Sequence, residues 1–385
     1  MKLRLLSILL AAVVAGGVML AGCKKVESDT PSSSETQSSD VSSDGVEGAE
    51  GADGSNDAES TEDPDDTSSV VHEEEIKVYP PITSDGALKK YDSIVTIGDA
   101  GYELYTYVPK KAEIYTGLIN DAAKQLAGTA NVYNMVIPIS AGITLPDNYK
   151  DQVNNSDMKE SLALLSEQFS SDVQSIELYD ALMTHRDAYI YFRTDHHWTA
   201  RGAYYAYAEF CKAKGITPHE LSEYRPREFD GFLGTFYKDT GKSADLGDHP
   251  DTVEVFYPVG ENIKLNFTDT KGNSYDWPII SNVTNSPAEL KYSTFAGADN
   301  PYTVIENPDV TDGSTLVVVK ESFGNALIPF LADHYQTIYE LDYRYWNGNV
   351  VSFAKEKGAD DVLFANNISM TRSDYLIGKL SQVLS

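Results

Sequence analysis

Apolar and polar positions along the chain fall into three regimes. Leu5 to Leu20 is an apolar run, residues 24–75 hold almost no large apolar side chain, and from about residue 76 apolar residues return at strand and helix spacings. In this third regime Ser93 to Ile97 predicts a strand, Ala112 to Leu126 a helix, and Val132 to Ile139 a strand leading into a loop from Ser140 to Pro146. Glu160 to Phe169 predicts a helix, and Val173 to Leu182 a strand followed by a short helix. Thr199 is placed to cap a helix that runs to about Lys214 and stops at Gly215. Such alternation of strand and helix is the pattern of a parallel α/β sheet.

Between Arg225 and Asn307 the texture changes. Short runs such as Val253 to Phe256 and Ile263 to Asn266 are separated by Gly, Asn and Asp, which predicts antiparallel strands and loops inserted into the core at about 225–310. After Gly313 the alternation resumes. The order is strand Thr315 to Val319, helix Ala326 to Asp333, strand Thr337 to Leu341, helix Val350 to Lys357 stopped by Gly358, and strand Val362 to Ala365. No internal repeat is evident.

The first two regimes speak to location. Lys2 and Arg4 precede the apolar run, and Leu20-Ala21-Gly22-Cys23 closes it with small residues, so residues 1–23 read as a lipoprotein signal peptide with a lipobox. The run is short for a membrane span. Cys23, once diacylated, is the expected lipid attachment, which makes the protein extracytoplasmic and anchored to the cell membrane. Residues 24–77 read as an acidic tether that cannot bury enough apolar surface to fold. From 24 to 75 there are seventeen acidic residues against Lys24 and Lys25, about half of the formal charge of −29. A flexible chain of that length spans ~40 Å, holding the 78–385 domain away from the membrane. No basic stripe follows, so nucleic acid is excluded as a partner. Cys211 is the only cysteine after the proposed anchor, which rules out a disulfide within the mature chain and a cysteine zinc cluster. The 25 tyrosines and three tryptophans suit a surface that stacks on sugars, although aromatic side chains are as commonly core residues.

Two places carry candidate chemistry. In Tyr191-Phe192-Arg193-Thr194-Asp195-His196-His197-Trp198-Thr199, an extended backbone would put Asp195 and His197 on one face and His196 on the other. The carboxylate could then orient one imidazole nitrogen and leave the other as a general base. Ser322 lies where the apolar strand Leu316 to Val319 turns through Lys320-Glu321-Ser322-Phe323-Gly324-Asn325 into a helix, the usual place for a nucleophile backed by free N–H groups. Gly324 permits close approach and Asn325 offers an amide donor. By position alone, Ser322 is equally well a simple helix cap.

These strings carry a resemblance. Arg193 to Tyr207, Gly231 to Tyr237, Phe295 to Asn307 and Lys320 to Asn347 resemble the DHHW family of bacterial exported proteins and, through it, the SGNH-hydrolase-like proteins of alginate O-acetylation. The resemblance implies an SGNH-hydrolase-like α/β/α three-layer core and a Ser322, His197, Asp195 triad. It further implies Gly324, Asn325, Arg344 and Tyr237 as oxyanion or substrate contacts. Gly98-Asp99-Ala100 has alanine where a Gly-Asp-Ser hydrolase string would carry its serine, so it is a decoy, and Gly101-Tyr102 beside it matches an early Gly-aromatic strand of the relatives.

The function this implies is serine-dependent O-acetyl transfer to, or acetyl ester cleavage from, an extracellular or cell-wall polysaccharide, with no cofactor and no metal. A membrane-bound O-acyltransferase would be the acyl donor. The other class left open is an inactive polysaccharide-binding or assembly lipoprotein. A metal-dependent phosphoesterase would need clustered aspartates at strand ends, and no Asp-x-Asp set stands there.

Overall fold

The structure, a computed structural model, describes residues 77–385. The signal peptide, the lipobox with Cys23, and the tether up to residue 76 lie outside the described residues. No helix among the described residues is long and apolar enough to cross a membrane.

Thirteen strands are formed by the described residues: β1 Leu88–Tyr91, β2 Ile94–Ile97, β3 Ala100–Glu103, β4 Asn131–Ile137, β5 Val173–Ser175, β6 Arg225–Phe232, β7 Asp251–Tyr257, β8 Lys264–Thr268, β9 Ser274–Trp277, β10 Tyr302–Glu306, β11 Thr315–Lys320, β12 Thr337–Asp342 and β13 Asp361–Asn367. Eight of them make one sheet in the order β5-β4-β13-β11-β12-β10-β8-β9. The five from β5 to β12 run parallel, and β10, β8 and β9 continue the sheet by antiparallel pairing. β11 and β13 are buried along their whole length, as a central parallel strand covered on both faces must be, and this explains their near-continuous Val, Leu and Phe.

The sheet therefore differs from the expected parallel core with a separate insertion. Part of the 225–310 region, β8 to β10, completes the main sheet, and only the β6–β7 pair stands apart. Alternation in such short runs gives strands but not the sheet that they join, because pairing partners are set by tertiary contacts.

The longer helices are α1 Pro109–Leu126, α2 Met158–Ser166, α3 Ala200–Lys214, α4 Val350–Lys357 and α5 Asp374–Leu384. α1, α4 and α5 touch one another, and α3 packs with the short helices Tyr179–Thr184 and Ile328–Leu331. Pro109 opens α1 where its missing N–H costs nothing. Thr199 caps α3, and Gly215, at φ 77°, ends it in the left-handed conformation that glycine adopts without strain. The small β1-β2-β3 sheet docks beside the Arg193 loop through Gly101, whose N–H bonds the Arg193 carbonyl at 2.8 Å. A Cβ at Gly101 would lie 2.7 Å from the Phe236 ring, so only glycine fits. Asp99, in the decoy string, pairs with Arg193 at 2.7 Å.

Candidate active site

At the C-terminal end of β11 the chain turns sharply. The expected helix from Ala326 is instead a 3₁₀ turn, Ser322–Ala326, followed by Ile328–Leu331. Glu321 caps this turn, accepting from the Phe323 N–H at 3.1 Å, so Ser322 is not the cap but the first residue inside it. The second Glu321 oxygen accepts the Asn367 N–H at 2.9 Å and ties the turn to β13.

The Asp-His-His-Trp string is not an extended strand. A bridge between Tyr191 and Trp198 closes it into a tight loop, with the Phe192 N–H on the His197 carbonyl and the Thr199 N–H on the Ile190 carbonyl. Asp251, at the start of β7, holds the loop from outside by accepting the Thr194 N–H and hydroxyl, both at 2.7 Å. Inside the loop, Asp195 Oδ1 accepts both the His197 N–H at 3.0 Å and Nδ1 at 2.5 Å. That is the local turn aspartate makes with the backbone two residues on. It achieves by curvature the pairing expected from strand periodicity, and it also folds His196 back. The His196 ring sits 3.9 Å from that of His197, with Nδ1 on Thr235 Oγ1 at 2.6 Å, rather than on an opposite face.

His197 Nε2 lies 2.7 Å from Ser322 Oγ, so a continuous Asp195–His197–Ser322 relay joins two segments 125 residues apart. All three residues are buried. The far oxygen of Asp195 accepts the Thr235 N–H at 2.8 Å and its hydroxyl at 3.1 Å. Gly234 is obligatory here, since a Cβ would lie 2.2 Å from Asp195. Burial raises the Asp195 carboxyl pKa, but the adjacent His197 and His196 imidazoles and the hydrogen bonds from His197 and Thr235 outweigh it and hold the carboxyl far below its usual range. It is therefore the ionised, acceptor-only partner that fixes the proton on His197 Nδ1 and leaves Nε2 to accept from serine.

The other expected contacts divide. Gly324 rests on Lys320, whose Cβ would lie 2.7 Å from an added methyl. The Asn325 amide is engaged within the protein, its oxygen with the Lys320 ammonium and its nitrogen with Asp299 at 2.9 Å, so it faces a structural network and not an open oxyanion position. Arg344 forks onto Asp342 at 2.9 and 2.6 Å and reaches Asp299 at 2.9 Å. Tyr237 is half-buried, its ring beside Gly247 and its N–H on the Thr194 carbonyl, one residue from Asp195.

Sequence reasoning did not find Tyr292. Its ring stacks on His197 at 3.9 Å and 11°, and its hydroxyl donates to the Ser322 carbonyl at 2.9 Å, so one side chain touches both base and nucleophile. Nothing in its 3₁₀ segment, Ala288–Thr294, marks it. Tyr292→Phe keeps the ring and removes one buried hydrogen bond of about 1 kcal/mol. A fall in turnover of roughly fivefold, without loss of the stacked geometry, is expected in an ester-hydrolysis assay; unchanged turnover would make the hydroxyl irrelevant. Lys320 and Asp299 were also missed as site supports. The one available signal was a lysine ending an otherwise apolar strand.

Asp195, His196 and His197 are a group of three whose ligand atoms lie within 4.8 Å of one another, in reach of a single cation. Each already has a hydrogen-bond partner: His197 and Thr235 for the carboxylate, Thr235 for His196, and Ser322 for His197. The geometry fits a proton relay better than a metal triad, and activity is expected to survive exhaustive treatment with a chelator. A cleft of about 380 Å³ lined by His219, Glu261, Asn262, Asp309 and Asp333 contains none of the relay residues.

The family model described as DHHW protein matches residues 36–341. The chain belongs to the DHHW protein family. Among solved structures this DHHW protein is similar to a DHHW family protein from Eubacterium siraeum, with 29% identity over 79% of this chain and 100% of that one at a TM-score of 0.71. It is also similar to Bacillus cereus PatB1 with a sulfonyl adduct, at 19% identity over 76% of this chain and 98% of the other, TM-score 0.63. The O-acetyltransferase domain of Pseudomonas putida AlgJ matches at 12% identity over 78% and 99% of the two chains, TM-score 0.40. No curated protein matches this DHHW protein in sequence.

Proposed function

We propose that the protein is a cell-surface lipoprotein that transfers acetyl groups to, or removes them from, an extracellular or cell-wall polysaccharide through an acyl-serine intermediate. The observation that carries this is the Asp195–His197–Ser322 relay, with 2.5 and 2.7 Å links and an ionised carboxylate at its end. In this reading His197 Nε2 takes the Ser322 proton as Oγ attacks the acyl carbonyl. The protonated imidazole then gives that proton to the leaving oxygen. A sugar hydroxyl or water next loses its proton to His197 as it attacks the acyl-serine, and Ser322 recovers a proton as the ester leaves. The Ser322 backbone N–H is the oxyanion donor, a contribution of roughly 3 kcal/mol.

The same reading takes the fold as the SGNH-hydrolase-like three-layer α/β/α arrangement. The two helix groups around one mainly parallel sheet support it, since right-handed crossovers from β11 to β12 and from β12 back to β13 put their helices on opposite faces. The lipid anchor at Cys23 and a membrane-bound acyl donor complete the proposal. Both follow from the N-terminal pattern and the family resemblance.

The test uses a sulfonyl fluoride, the type of reagent that leaves an adduct like the one on PatB1. The full chain should hydrolyse p-nitrophenyl acetate, lose that activity on sulfonylation, and carry one sulfonyl group, located at Ser322 by peptide mass. A chain no faster than buffer, with Ser322 unlabelled, would overturn the serine mechanism in favour of the binding lipoprotein.

A further inference from the structure

The register of the sheet carries one face from the relay out to the edge. Lys320 pairs with Asp342 and Val318 with Glu340 across β11 and β12, Glu340 with Thr303 on β10, Thr303 with Phe267 on β8, and Phe267 with Tyr275 on β9. Directly paired residues share a face, and so do residues two apart. Phe267, Tyr275 and Trp277 therefore lie on the face that buries the Lys320 charges beneath Ser322. Phe267 and Tyr275 are also toward the end of the sheet that leads to Ser322, because Leu341 of β12 is opposite Tyr302 and Tyr302 is opposite Thr268, whereas Trp277, opposite Leu265, lies two residues further from that end.

The three rings form a cluster. Phe267 is 5.4 Å from Tyr275 and 5.9 Å from Trp277, and the Trp277 indole N–H is fixed on Ser281 Oγ at 2.6 Å. Tyr275 and Trp277 remain 45% and 38% exposed, on the edge strand. Counting strands, they stand about 19 Å from β11 and Phe267 about 14 Å, at the usual strand spacing.

One loop bridges that gap. Ala296, Gly297 and Ala298 have φ of 49, 76 and 70°, three successive residues in the left-handed region, two of them not glycine. Such strain persists only where the surroundings impose it, and it clusters at functional sites. Gly297 sits against the Phe267 ring, where a Cβ would lie 3.1 Å from it. Two residues on, Asp299 bonds Asn325 and Arg344, both at 2.9 Å. The loop thus runs from the aromatic face to the turn that carries Ser322.

We propose that Phe267, Tyr275 and Trp277 form a carbohydrate-stacking subsite, continuous with the relay through the Ala296–Asp299 loop, for a chain of all-equatorial pyranoses whose hydroxyl reaches Ser322. This rests on the acyl-transfer reading and names the part of the acceptor that it binds. Equatorial pyranoses present flat C–H faces that pack on aromatic rings, while the exposed hydroxyls meet a polar rim, here Asn300 and Asp299. The Asp299 carboxyl, raised by burial but lowered further by Arg344 and Lys320 to about 2, is an ionised acceptor paired with Arg344 at the inner end of the path.

The test is binding of cellohexaose and of chitohexaose to the full chain, followed by tryptophan fluorescence and calorimetry. At least one hexaose should bind saturably, with affinity falling tenfold or more in a Tyr275→Ala/Trp277→Ala variant of native circular dichroism and largely kept in Trp277→Phe. Failure of both sugars to bind the wild-type chain, or unchanged affinity in the double variant, overturns the subsite. So does a concentration-dependent dimer that the double variant abolishes, which would make the face a contact between copies. Sulfonyl labelling separates the two ideas. Labelled Ser322 without hexaose binding removes the subsite alone, and hexaose binding without labelling removes the acyl-transfer reading while leaving a sugar-binding face.

Discussion

Asp195→Asn is expected to lower ester turnover by about four orders of magnitude, the loss that a wrong imidazole tautomer causes in serine enzymes. The reason is that Asp195 accepts four hydrogen bonds, two at each oxygen: from His197 N–H and Nδ1, and from Thr235 N–H and hydroxyl. An amide has donors on one side. If its NH₂ faces Thr235, a part-buried backbone N–H loses its acceptor; if it faces His197, the imidazole must accept at Nδ1 and carry its proton on Nε2, where it can no longer take one from Ser322. Either orientation damages the site without changing its shape. Steady-state hydrolysis of p-nitrophenyl acetate by the variant, checked for folding by circular dichroism, measures the effect. Turnover within tenfold of wild type would remove Asp195 from the orientation of the base.

The second large effect is on stability. Lys320 is fully buried with its ammonium 2.7 Å from Glu340 Oε1 and 3.7 Å from Asp342 Oδ2, and both Glu340 oxygens lack a well-aligned hydrogen bond. Burial lowers the lysine pKa, yet Glu340, Asp342 and Asp299 raise it further, so the cation is what offsets those carboxylates. Lys320→Met leaves Glu340 uncompensated and should cost about 3–5 kcal/mol in urea denaturation at neutral pH. Burial raises the Glu340 pKa and Lys320 lowers it, with burial the larger effect. A carboxyl whose folded pKa is raised destabilises increasingly as pH climbs from its unfolded to its folded pKa, fully above the latter, and not at all below the former. The deficit of the variant should therefore shrink as pH is lowered. A second change, Glu340→Leu, should restore much of the loss. A single variant within 1 kcal/mol of wild type would show that the cluster does not depend on its cation.

What could be read beforehand followed from how local each signal is. β11 was legible because the apolar run Leu316 to Val319, rich in valine, is typical of a buried strand, and α3 because Thr199 and Gly215 mark both ends. Asp195 and His197 were paired correctly for a reason that did not hold, strand periodicity, where the chain in fact makes an aspartate turn. The supports were not legible. Tyr292 and Thr235 reach the relay, and Asp299 reaches Asn325 in the turn beside it, only through tertiary folding, with partners from 26 to 95 residues away in sequence. The extension of the sheet by β10, β8 and β9 was hidden for the same reason, since the alternation that betrays a strand is silent about its neighbour.

The position of β13 has a consequence in time. It is the last strand among the described residues, yet it lies between β4 and β11 and supplies the Asn367 N–H that Glu321 uses to seat the Ser322 turn. The β11–β12 pair can form from nearby segments, but the gap between β4 and β11 stays open until β13 has docked. Closure then requires contacts separated by more than two hundred residues, which is slow and leaves apolar strand edges uncovered meanwhile. The turn that carries Ser322 is thus seated only once β13 has docked between β4 and β11, so it is among the last parts of the sheet to be completed.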